Sequence, residues 1–80
     1  MESERIKELL ERQLSKNSII RMFASAELEL AEEALNSAKE SNNIAEETVA
    51  NFTVKRLKII LDCIENSDAD IVFELANWKE

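Results

Sequence analysis

The chain has no glycine and no proline in 80 residues. Ordinary usage would place about five or six glycines and about four prolines in this length. Without glycine there is no Walker loop, no dinucleotide-binding fingerprint and no type I′ hairpin turn. The chain must therefore turn on Ser, Asn and Asp, which compete for backbone hydrogen bonds and favour helix ends. Three clusters qualify: Ser15-Lys16-Asn17-Ser18, Ser41-Asn42-Asn43 and Asn66-Ser67-Asp68. Between them apolar residues recur at helical spacing, so the chain reads as all-helical.

Four segments follow. The first spans about Glu4 to Leu14, capped by Ser3, with Ile6, Leu9, Leu10 and Leu14 on one face. The second spans about Ile19 to Lys39, with an apolar face of Ile19, Ile20, Phe23, Ala26, Leu30, Ala31, Ala34, Leu35 and Ala38. The third spans about Ile44 to Glu65. Asn43 with Glu46 three residues on starts it in the manner of a capping box. Its face holds Ala45, Val49, Phe52, Thr53, Leu57, Ile60, Leu61 and Ile64. The fourth starts after Ser67, with Asp68 and Asp70 suited to the helix dipole, and runs to about Trp78, burying Ile71, Val72, Leu75 and Trp78. Nothing forces a turn at residues 15–18, so one helix from Ser3 to Lys39 is the alternative. The expected fold is an all-α single domain over residues 1–80. It is a small three- or four-helix bundle centred on an antiparallel hairpin of the second and third helices, open to completion by self-association. A short chain buries only about 60% of its unfolded surface, so a homodimer is expected to enlarge the core.

Composition narrows the chemistry. The chain has no His and a single Cys, which removes imidazole bases, catalytic triads and Cys- or His-rich metal sites. Neither enzyme activity nor a cofactor is expected. The net charge is -7, whereas nucleic-acid modules carry basic faces. Lys55, Arg56 and Lys58 read as helix solubility, and no nucleic-acid partner is expected. The opening Met1-Glu2-Ser3-Glu4 has neither signal nor transit character. The longest apolar runs, such as Ile59-Ile60-Leu61, are three residues, far short of the about 20 a membrane span needs. No membrane partner is expected, and a lone thiol suits a reducing cytoplasm.

Several residues stand out. Glu27 and Arg56 fall inside the apolar faces of the second and third segments and come level in an antiparallel hairpin, so an ion pair between them is expected. Snorkelling to solvent is the alternative. Ala24, Ala26, Ala31, Ala34 and Ala38 would let a helix approach closely, whether from the same chain or from a partner. Glu29, Glu32 and Glu33 lie on the polar side and read as solvated, not as a metal site with Glu27. Cys63 reads as a small buried hydrophobe. Phe73 points roughly opposite Ile71, and with Trp78 it is either sandwiched or a contact surface.

The stretch from Ala24 to Leu61 resembles helical hairpins of the HEPN type. The active members of that family carry an Arg-x4–6-His motif, and a chain without His implies no such ribonuclease site.

The function these readings favour is a non-enzymatic protein-interaction or regulatory module that docks a partner protein through an apolar helix face. The expected anchors are Ile71, Phe73, Leu75 and Trp78, then Ile6, Leu9 and Leu10. Two alternatives remain: an acidic, antitoxin-like inhibitor occupying a basic groove, and a self-assembling structural homo-oligomer.

Overall fold

The computed structural model describes residues 2–78 and contains two helices. Helix α1 runs Glu2–Glu40 over 39 residues and α2 runs Ile44–Ala76 over 33 residues. They fold back on one another as a hairpin. The expected three- or four-helix bundle is thus corrected to two helices. Neither Ser15–Ser18 nor Asn66–Asp68 interrupts its helix. A helix of 39 residues at about 1.5 Å per residue is close to 60 Å long, and the chain measures 60 × 15 × 14 Å. Its radius of gyration is 17.9 Å, against about 12 Å for a compact chain of this length.

The seam between the helices follows an alternating three- and four-residue step, the heptad spacing of a coiled coil. On α1 it takes Leu10, Leu14, Asn17, Arg21, Ala24, Leu28, Ala31, Leu35 and Ala38. On α2 it takes Ala50, Val54, Leu57, Leu61, Ile64, Asp68, Ile71 and Leu75, and Trp78 just beyond the end of the helix continues it. Toward the closed end α1 alternates alanine with leucine. Small side chains at every seventh position let the helices approach closely and seat leucines in the gaps. The buried core is Ala24, Ala31, Ala38, Ala50, Val54, Ile64 and Ile71, and among the described residues no large side chain is fully buried.

The reading of the faces is corrected accordingly. Ile20, Phe23, Leu30, Val49, Phe52 and Ile60 were the natural core candidates by size, yet all are exposed. Each long helix carries two apolar stripes; on α1 the hairpin uses the one with the smaller residues, and on α2 the one built on Val54, Leu57, Leu61, Ile64 and Ile71.

The turn works without glycine because Asn42 takes the left-handed conformation, at φ 55°, which Asn tolerates better than most residues. Asn42 N–H donates to Lys39 O at 3.3 Å and Asn43 N–H to Ala38 O at 3.0 Å, the Schellman pattern that closes a helix. Asn43 then caps α2, its Oδ1 accepting from Glu46 N–H at 3.2 Å. One three-residue connection therefore ends one helix and starts the next. Asn43→Ala should cost about 1 kcal/mol, read as a shift in the denaturant midpoint at unchanged slope. No shift would mean that water caps α2 equally well.

Candidate functional site

The two polar clusters expected to break helices meet each other instead. Asn17 is 4% exposed, the one buried polar residue among those described. Its Nδ2 donates to Asp68 Oδ1 at 2.9 Å and to Ser67 Oγ at 3.2 Å. Its Oδ1 accepts from Gln13 Nε2 at 2.8 Å. Arg21, one turn on, forms an ion pair with Asp68. Ser15 bonds back to Glu11 O, which keeps its hydroxyl satisfied inside the helix. Sequence reasoning missed this node. The signal was available: in a hairpin turning at Asn42, Asn17 and Ser67 are equidistant from the turn. A polar group at one seam position fixes register in coiled coils, and that is what this cluster can do here.

Glu27 and Arg56 come nearly level across the hairpin, as the contact of Asn17 with Ser67 and Asp68 requires. Both remain exposed, and the expected ion pair between them is corrected. Among the described residues the ion pair between the helices is Arg21–Asp68. The Arg56 guanidinium lies 5.6 Å from the Phe52 ring centroid, a contact worth about 0.5–1 kcal/mol at an exposed site.

The residues flanking the seam distinguish two broad sides. One flank is mostly charged: it carries Glu4, Glu8, Glu11, Ser25, Glu29 and Glu32 from α1 and Asn51, Lys55, Lys58, Asp62 and Glu65 from α2, with Met22 and Val72 as exposed apolar exceptions. The other carries Ile6, Leu9, Ile20, Phe23, Leu30 and Ala34 from α1 and Val49, Thr53, Ile60 and Cys63 from α2, with Phe52 and Ile59 at its outer edge. In an antiparallel pair, the residues preceding seam positions on both helices share a side. A mostly apolar groove lined by Ala31, Ala34, Ala45, Val49, Ala50 and Thr53, with Glu46 at its edge, runs along this side near the closed end. Phe23 is 68% exposed, Leu30 60% and Phe52 61%.

The expected anchors divide between these surfaces. Ile71 is buried in the seam, and Leu10, Leu75 and Trp78 are half-buried in it. They contribute to the packing between the two helices. Ile6, Leu9 and Phe73 are exposed. Of the alanine series, Ala24, Ala31 and Ala38 are in the seam, while Ala26 and Ala34 are outside it. Cys63 is exposed, which corrects its reading as a buried hydrophobe. Among the described residues no three of Cys, Asp and Glu come together as a metal site. No described helix is long and apolar enough to cross a membrane. No known protein family, curated protein or solved structure matches the chain.

Proposed function

We propose that the protein is a non-catalytic interaction module whose working surface is the apolar broad side of the hairpin. The observation that carries this reading is the exposure of Phe23 on that side and of Phe52 at its outer edge; Phe73, on the outer face of α2, is exposed as well, so all three phenylalanines of the chain lie in water. A small protein that leaves every phenylalanine in water has a contact surface that a partner covers. Aromatic and aliphatic anchors at the centre would supply affinity, and the charged rim would set specificity and on-rate. The lone exposed thiol fits a reducing compartment, and we place the module in the cytoplasm.

The test is association of the full chain, with itself or with another protein, at low and moderate salt. Phe23→Asp combined with Leu30→Asp should weaken association roughly tenfold or more. Both side chains are exposed, so helix content by circular dichroism should not change. Binding that survives the double substitution would move the surface elsewhere. Binding lost with added salt alone would favour the acidic-inhibitor reading.

A further inference from the structure

We infer that the occupant of the apolar broad side is a second copy of this chain, stacked so that both hairpins point the same way and α1 of each lies over α2 of the other. This rests on the reading of that side as the working surface and names its partner.

Area argues first. The single chain exposes 6407 Å², whereas a compact chain of this mass exposes roughly 4,900 Å². The excess is of the size that a standard interface removes, roughly 1,600 Å² in total. A side 60 Å long and 15 Å wide at the Cα positions offers on the order of 800 Å² per partner, the usual share.

Charge then selects both the partner and its direction. From Ile20 to Ala34 on α1, and from Val49 to Cys63 on α2, this side carries two charged residues, Glu27 and Arg56. They are of opposite sign, nearly level, exposed and not paired with each other. A same-direction stack keeps every level. It sets Glu27 of each copy against Arg56 of the other, Phe23 near Ile60 and Leu30 near Thr53. Farther out, Lys16 comes level with Asp70. A reversed stack that overlaps the same apolar stretch pivots near Glu27. It faces Glu27 with Glu27 and Arg56 with Arg56, and like charges set against each other in an interface repel. The patch is thus complementary to itself in one orientation, as an isologous two-fold contact requires.

The experiment is sedimentation equilibrium on the full chain and its charge reversals, with circular dichroism to confirm that the helices persist. The parent chain should be a dimer. Glu27→Arg alone and Arg56→Glu alone should each raise the dimer Kd roughly tenfold or more, because each places two like pairs in the interface. Mixing the two variants in equal amounts should restore a dimer, since each then meets an opposite charge in the other. The double variant should restore it in a single chain. A parent chain that stays monomeric overturns the proposal. If that monomer captures a foreign protein, and Phe23→Asp with Leu30→Asp abolishes the capture, the interaction-module reading stands while self-pairing fails. A dimer unaffected by either single reversal overturns the same-direction stack.

Discussion

Asp68→Ala is expected to destabilise the hairpin by roughly 2 kcal/mol, on the order of 10 °C in a domain this small. Asp68 accepts from the buried Asn17 and pairs with Arg21. Removing it leaves an Asn17 donor unsatisfied inside the seam, and the penalty for a buried unpaired group exceeds the net value of the bond. Arg21 is half-exposed and can turn to water, so the cost stays below that of a fully buried pair. Replacing both partners, Asn17→Leu with Asp68→Leu, should recover most of this loss, because two apolar groups can pack where the polar ones were. It should also blur the register, since no polar seam contact then distinguishes one pairing from a slipped one. Thermal melts read the first effect, and doubled amide peaks in NMR spectra read the second. An unchanged Tm for Asp68→Ala would show that the node adds nothing to stability.

Ala38→Leu is expected to cost about 1–3 kcal/mol through overpacking. Ala38 is 1% exposed, and its carbonyl accepts from Asn43 N–H and Ser41 Oγ. Three residues away the chain has already reversed, so the helices cannot spread there without breaking the Schellman pattern that ends α1. The control is Ala26→Leu, on the exposed outer face of the same helix, which should stay within about 0.5 kcal/mol of the parent. Denaturant titrations compare the two. Equal midpoints would show that the alanine seam has room to expand, and that close approach is not what those residues provide.

The sequence was legible where local chemistry decides. Asn43 with Glu46 marked the start of α2, and Ser41-Asn42-Asn43 marked the reversal, because capping and a left-handed residue are properties of a few consecutive side chains. It misled at Asn17 and at Ser67-Asp68. The same residue types end a helix when their polar groups bond to the backbone beside them. They sit inside one when those groups are satisfied across a seam. Choosing between these outcomes requires knowing that residue 17 meets residue 68, a contact 51 positions apart in the chain. Size misled in a similar way at Phe23 and Leu30. Burial favours large side chains in general, but two long helices approach most closely through small ones, and Ala24, Ala31 and Ala38 repeat with the period the seam needs.

The sequence by itself determined that the chain is helical, that it turns at Asn42, and that it lacks the groups for imidazole chemistry. These follow from residue types and from spacing within a few turns. Only the tertiary structure decided which of two apolar stripes is internal, that the polar clusters mate instead of breaking helices, and that Glu27 and Arg56 are left unpaired on an exposed apolar side. The reason is physical. Helical periodicity marks a face as apolar but carries no information about what covers it, and that depends on how closely the second helix can approach.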